Sequence, residues 1–187
     1  MACIPLVALG LACGDGGNVG GIRKVYMIAE NDLAPVSGDA GDPVYTTATN
    51  GIVDAIGIAT GQKFVEIGTI VGRAGLKSNG VFNQQNGSAY NTQEFTLTLA
   101  GMTVENRAFV ESVFTQPVVI VVRANGSTPQ HYAAGLDGQL ILSALEAGLG
   151  TAEGDLKGYK LTFTGFSEKQ IPLVDNLIIP TILSPAS

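Results

Sequence analysis

Few side chains in this sequence are placed to carry out nucleophilic or acid–base chemistry. The single histidine, His131, lies in a predicted strand between Gln130 and Tyr132. A catalytic histidine works beside a nucleophile and an orienting group, whereas Ser143 and Ser167 lack the G-x-S-x-G surroundings of a nucleophilic serine. We therefore predict no catalytic residue, and we interpret His131 as a core or interface histidine.

The acidic residues also lack the arrangement of a metal or catalytic site. The candidates are Asp39, Asp42 and Asp54, together with the pairs Glu105/Glu111 and Glu153/Asp155. The aspartates do not follow the D-x-D-x-D-G spacing of a calcium loop. The pairs fall on a predicted helix surface and in a predicted loop, where carboxylates are ordinarily solvated. Because only 14% of the residues are charged, we predict a non-enzymatic protein with no metal site and no cofactor site.

The glycine-rich stretch 14–21 suggests a phosphate-binding loop at first sight. Such a loop needs a strand before it and a helix after it. The residues that follow, Ile22 to Ile28, have the pattern of a strand instead. We interpret 14–21 as a connector into that first strand.

The first 13 residues, MACIPLVALGLAC, are apolar but do not fit a targeting segment well. No Lys or Arg precedes the apolar run and Pro5 interrupts it, and a membrane span needs about 20 apolar residues. Cys3 and Cys13 lack the spacing of a zinc site. We interpret them as free thiols in a reducing compartment, with a mutual disulfide as the less favoured alternative. Residues 1–21 are predicted to be an N-terminal arm that packs on the core or on a neighbouring subunit.

The elements that would position any site are mostly strands. Phe95, Leu97 and Leu99 alternate with polar residues, as in a half-buried strand. The β-branched run 118–122 predicts a strand that is covered on both faces. Further strands are predicted at 22–28, 52–59, 63–71, 129–134, 136–149 and 159–164, with 52–59 and 63–71 joined as a hairpin.

One helix is predicted between two of these strands. Thr103 is a candidate N-cap, and the residues before Pro117 end the helix because proline disfavours helical geometry in its predecessor. The apolar residues at helical spacing would form one buried stripe: Val104, Ala108, Phe109, Val113 and Phe114.

A chain of 187 residues is long enough for one domain with a substantial core. We predict a single β-rich domain over 22–175, with long loops at 30–50 and 72–91, the second in the form of an extended, polar-tipped ribbon. Residues 176–187 form an apolar, proline-broken tail that is expected to pack on the fold or on another subunit. The predicted fold class is mainly β with one flanking helix (α+β), an antiparallel β-sandwich or barrel.

The composition narrows the function further. The formal net charge is −6, which argues against tight nucleic-acid binding because such binding needs a basic footprint. An acidic surface suits a passage along which nucleic acid slides without sticking, but ordinary solubility is the favoured interpretation of the charge. An aromatic content of 6% with no tryptophan counts against a sugar-binding surface.

The order of elements resembles the tail-tube-type structural proteins of tailed bacteriophages, particularly phages that infect Bacteroidetes. The resemblance lies in GGIRKVYMIAENDL, QEFTLTLAGMTVENRAFVESV, PVVIVVRANGSTPQHYAAG and KGYKLTFTGFSEKQIPLV. It implies a virion protein that is assembled in the host cytoplasm. Its hexameric rings would stack into a tube, with the arm and the loops 34–50 and 72–91 between rings. Genomic DNA would cross an acidic lumen without specific binding.

Two other functional classes stay open. Another virion component, such as a neck, head-decoration or baseplate protein, would share the same composition and contact other virion proteins. A secreted or lipid-anchored β-sandwich binding module would be favoured by cleavage before Cys13, by aromatic residues grouped on one exposed face, or by a defined calcium site. We expect self-assembly and no membrane partner.

Overall fold

The structure is a computed structural model that describes residues 20–39, 41–68, 72–83, 88–126, 128–137, 139–149 and 157–184. Cys3, Cys13, nearly all of the arm and the pair Glu153/Asp155 lie outside the described residues. The chain is mainly β, with half of it in strands that form two sheets, and with a few helices. The predicted mainly-β α+β class is therefore confirmed.

Eleven strands are found within the described residues. They are β1 (Ile22–Ala29), β2 (Tyr45–Thr47), β3 (Val53–Ile56), β4 (Val65–Ile67), β5 (Ala74–Asn83), β6 (Ser88–Ala100), β7 (Val118–Ala124), β8 (His131–Ala134), β9 (Ile141–Gly148), β10 (Gly158–Ser167) and β11 (Leu173–Val174). The first sheet has the order β2-β3-β11-β8-β7-β1-β4, and the second has the order β5-β6-β10-β9. Every pairing is antiparallel except that of β3 with β11.

The two sheets share one hydrophobic core. The second sheet contributes two rows of apolar residues: Ala74, Leu97 and Leu161 in one, and Leu76, Phe95, Phe163 and Leu142 in the other. Val25 and Ile120 of the first sheet belong to the same core as Phe95 and Phe163. The alternation that predicted these strands is therefore the alternation between core and surface.

Strand β7 is buried on both faces, as predicted for 118–122. Val119 and Val121 face a second core, on the side of the first sheet that points away from the second sheet. The C-terminal tail covers this side through the short helix α2 (Ile179–Leu183), whose Ile182 accepts a 2.9 Å backbone hydrogen bond from Phe64 N. The tail thus packs on the fold. The sequence predicted a single helix elsewhere in the chain, so α2 is an additional helix that was not predicted.

The predicted helix exists, but its buried face differs from the predicted stripe. Helix α1 (Val104–Val113) begins at Thr103, whose Oγ1 accepts a 3.2 Å hydrogen bond from Asn106 N. Val110 and Val113 are buried, whereas Val104 and Phe114 are exposed. Val104 lies nine residues before Val113, and at about 100° per residue it points to the opposite side of the helix.

Two loop predictions are also corrected. Strands β3 and β4 do not form a hairpin, because β3 pairs with β2 and β11 whereas β4 pairs with β1 at the far edge of the sheet. The buried Phe64 anchors the crossing between them in the second core.

The stretch 72–91 is not a loop along most of its length: β5 and the start of β6 pair from Ala74 to Asn83 and form part of the second sheet. The loop 30–50 contains β2 and a 3₁₀ turn at Glu30–Asp32.

Candidate assembly surface

His131 serves a structural contact. It is buried on β8, and its Nδ1 lies 2.6 Å from Oδ1 of Asn176, whose side-chain nitrogen donates to the carbonyl of Pro129. Burial lowers the pKa of His131, the bond to Asn176 opposes that shift, and the nearby charge of Arg123 adds to it. The histidine therefore joins β8 to the start of the C-terminal tail.

The other residues with possible chemistry are dispersed. Ser143 donates to the carbonyl of Thr162 at 3.0 Å, and Ser167 accepts from Lys169 N at 3.1 Å. Asp54 accepts from Thr46, and Glu111 forms an exposed ion pair with Arg107 on α1. Within the described residues, no group of three or more His, Cys, Asp or Glu side chains could hold a metal ion.

One polar cluster was not predicted. The Tyr45 hydroxyl donates to Asp137, and Lys169 Nζ lies 3.4 Å from the same hydroxyl. Burial and the Asp137 carboxylate raise the pKa of Tyr45, and the hydrogen bond to Tyr45 raises the pKa of Lys169. These residues are far apart in sequence, so no local spacing could reveal the cluster, which links three surface segments.

The more distinctive surface is the pair of edges of the second sheet. Strand β5 has ten residues and β9 has eight, whereas the edge strands of the first sheet, β2 and β4, have three each. Long unpaired edges expose backbone donors and acceptors that readily pair with another chain. Because all three pairings in this sheet are antiparallel, β5 and β9 run in opposite directions.

The face of the second sheet that points away from the core is polar and carries no net charge. Its strands contain four charged residues, which form the cross-strand ion pairs Lys77–Glu94 at 2.9 Å and Lys160–Glu146 at 3.3 Å. Five threonines lie beside or between these pairs on β6 and β10: Thr92, Thr96, Thr98, Thr162 and Thr164. The overall negative charge of the chain therefore lies elsewhere.

An apolar diagonal crosses this otherwise polar face. Its members are Val81, Tyr90, Phe166 and Ile141, which are 38%, 38%, 65% and 47% exposed. Val81 pairs directly with Tyr90, whose ring meets Phe166 edge-on at a centroid distance of 5.7 Å. The sequence contained a signal for it, because Phe166 has the same parity along β10 as the exposed Lys160.

A groove accompanies the β9 edge. It has a volume of about 400 Å³ and lies between α1 and β9, lined by Val110, Phe114, Leu145 and Tyr159 among others. The exposed Phe114 ring belongs to this groove. An apolar groove beside an unpaired strand is the arrangement that accepts a strand from another chain.

No protein-family model, curated protein or solved structure matches this chain. Among the described residues, no helix has the length and apolar character needed to cross a membrane.

Proposed function

We propose that this protein is a structural virion protein whose chains join through the second sheet into rings, stacked as a tail tube for the passage of phage DNA. The observation that carries the proposal is a pair of long edges, β5 and β9, which have no further strand partner among the described residues and run in opposite directions. A cyclic rotation brings β9 of one chain beside β5 of the next in antiparallel orientation. Each ring closure then removes two edges per chain.

We infer a β-sandwich of the tail-tube type for the fold. The core shared by the two sheets supports this inference, since Val25 and Ile120 of one sheet pack in the same cluster as Phe95 and Phe163 of the other. Helix α1 flanks the core through Val110 and Val113. In this arrangement the core-facing side of the second sheet is already filled, which leaves its polar face for the lumen.

The polar face suits a wall past which DNA moves. Its charged residues are paired with opposite charges on neighbouring strands, and threonines lie beside these pairs on β6 and β10. Binding of nucleic acid needs an excess of positive charge to displace counterions, and this face has none. The proposed wall is neutral, whereas the family resemblance led us to expect an acidic one.

The proposal places the protein in the virion after assembly in the host cytoplasm, with other virion proteins as partners at the ends of the tube. We propose a role without catalysis. Its support is that His131 is used in a buried contact with Asn176 and that Ser143 and Ser167 bond to neighbouring backbone. The arm, the loop 34–50 and the stretch 72–91 remain our proposed contacts between rings.

Negative-stain electron microscopy of the purified protein tests the proposal. We expect rings or tubes with a lumen wide enough for duplex DNA. Single rings that never stack would favour a neck or head-decoration protein. Particles without a ring, at any protein concentration, would contradict the proposed function.

A further inference from the structure

The pairing registers of the second sheet define rows that run across its four strands. Each row is named by its residue on β6, so β6 serves as a ruler for positions along the strands. Lys77 and Ile141 share the row of Glu94, whereas Gly148 lies in the row of Ala100 and Val81 in the row of Tyr90. If the rows of a neighbouring chain were level with those of the first chain, the neighbour's β5 would face β9 of the first chain only from Ala74 to Lys77. Most of both edges would remain unpaired.

An offset of four residues removes this mismatch. When the incoming β5 moves four residues toward the Ala100 end of the ruler, Gly75 faces Gly148 and Val81 faces Ile141. The whole of β9 is then paired. Because four is even, residues that point to the core on one chain stay level with residues that point to the core on the next.

We propose that β5 of one chain pairs with β9 of the next in this offset register, with Lys77 opposite Glu146 and Val81 opposite Ile141. The inference rests on the proposed edge-to-edge assembly and specifies its interface. Its partner is a second copy of this chain.

Charge complementarity is the first support. In the offset register, Glu94 and Lys77 of one chain continue directly into Glu146 and Lys160 of the next, so that signs alternate across four adjacent strands. The side chains of Lys77 and Glu146 are both more than half exposed in the single chain. Opposite charges directly across a strand pair are favourable. With the rows level, Lys77 would instead face the apolar Ile141.

The apolar diagonal is the second support. On the β6 ruler it climbs from the row of Tyr90 through the row of Thr92, where Phe166 lies, to the row of Glu94, where Ile141 lies. It therefore climbs four residues across one sheet, which equals the offset. In the offset register, Val81 of one chain meets Ile141 of the next, and the diagonal continues without a break around the ring.

Barrel geometry is the third support. Strands lie about 4.8 Å apart and rise about 3.3 Å per residue, so an offset of four residues over four strands tilts the strands by about 35° from the ring axis. Closed sheets have tilts of about 35–45°. An eight-stranded barrel with a shear of eight, which also advances one residue per strand, has a tilt of about 36°.

The direction of the offset agrees with the hand of strand twist. The hydrogen bond from Gly101 N to Lys157 O, at 2.8 Å, shows that the core-facing residues of β6 direct their backbone groups toward β10. Because the residues are L-amino acids, this direction determines on which side of β6 the strand β10 lies when the sheet is viewed from the core. With the polar face turned to the lumen, the proposed offset makes the strands coil in the right-handed sense that their twist favours.

Cysteine cross-linking distinguishes the registers. In a background of Cys3→Ser and Cys13→Ser, one variant carries Val81→Cys with Ile141→Cys, and the matched control carries Lys77→Cys with Ile141→Cys. The first pair reports the offset register, and the second reports level rows. After mild oxidation we expect ladders of cross-linked chains to form at least tenfold faster in the first variant.

The other outcomes separate the register from the assembly. Faster cross-linking of the control, or equal rates for the two variants, would overturn the offset register and leave edge-to-edge assembly intact. If light scattering shows rings under reducing conditions while neither variant cross-links, the proposed β5–β9 interface is wrong although the protein assembles. If no variant and no parent protein assembles, the register and the proposed function both fail.

Discussion

Replacing Glu146 with lysine tests the charge alternation at the proposed junction. Glu146 pairs within its own chain with Lys160 at 3.3 Å, and both side chains are highly exposed. Exposed ion pairs contribute about 0–1 kcal/mol to stability, so the single chain should fold normally. In the ring, however, Glu146→Lys would place three lysines on adjacent strands: Lys77 of the neighbour, the new residue and Lys160.

The magnitude follows from the exchange of attraction for repulsion. Cross-strand charge pairs are worth about 0.2–1 kcal/mol, so reversing one member costs about 1 kcal/mol per junction, or about a fivefold weaker contact. In a closed hexamer every junction carries this cost. We therefore expect the protein concentration at half-assembly to rise about five- to tenfold at low salt. The effect should shrink at high salt because added ions screen exposed charges.

Sedimentation velocity over a concentration series measures this shift, and two variants serve as controls. Glu66→Lys makes the same charge change on β4 of the first sheet, where Glu66 pairs with Lys24 at 3.0 Å away from β5 and β9, and we expect it to assemble like the parent. Adding Lys77→Glu to Glu146→Lys should restore part of the lost assembly. An unchanged half-assembly concentration, or an equal shift in Glu66→Lys, would refute the reasoning.

Three further predictions concern the single chain. Phe163→Ala should lower the free energy of unfolding by about 3–5 kcal/mol because Phe163 is fully buried, whereas urea titration should show a loss of at most about 1 kcal/mol for Phe166→Ala on the same strand. Thr103→Ala should cost about 1 kcal/mol, since it removes the cap that accepts from Asn106 N; equal stability in urea would contradict the capping role. Because burial lowers the pKa of His131, the unfolded chain takes up its proton first as the pH falls below about 6.5, so stability is present above that pH and lost below it. Urea titrations at pH 7 and 5.5 should show a loss up to about 1 kcal/mol larger for the parent than for His131→Gln, and equal losses would contradict this account.

Individual strands and the start of α1 could be predicted because the residues that indicate them are close together in sequence. The alternation through Phe95, Leu97 and Leu99 marked a strand whose odd-numbered residues are buried, and Thr103 marked the start of α1. The predicted stripe on α1 is confirmed for Phe109 and Val113, which pack in the core between the two sheets, and wrong for Val104, Ala108 and Phe114, which are exposed. The position of the two sheets determines which side of the helix is covered. Val104 is apolar, as the stripe requires, but it points to the exposed side of the helix.

The pairing of strands and the candidate surface depended on contacts that are distant in sequence. Strands β3 and β4 are neighbours in the chain but lie in different parts of the first sheet. Phe64, which lies between them in sequence, is buried in the second core. The ion pairs Lys77–Glu94 and Lys160–Glu146 join residues on different strands, so they become visible only once the register is known. Phe166, by contrast, could have been recognised from its parity along β10.

The most direct test of edge-to-edge assembly is the mass of the protein in solution, measured by multi-angle light scattering at increasing concentration. We predict a plateau at a fixed multiple of the 19.2 kDa chain, the mass of one ring, before any further rise as rings stack, and a loss of that plateau when Leu145→Pro interrupts β9. A mass that stays at 19.2 kDa at every concentration, or a plateau that Leu145→Pro leaves intact, would contradict it.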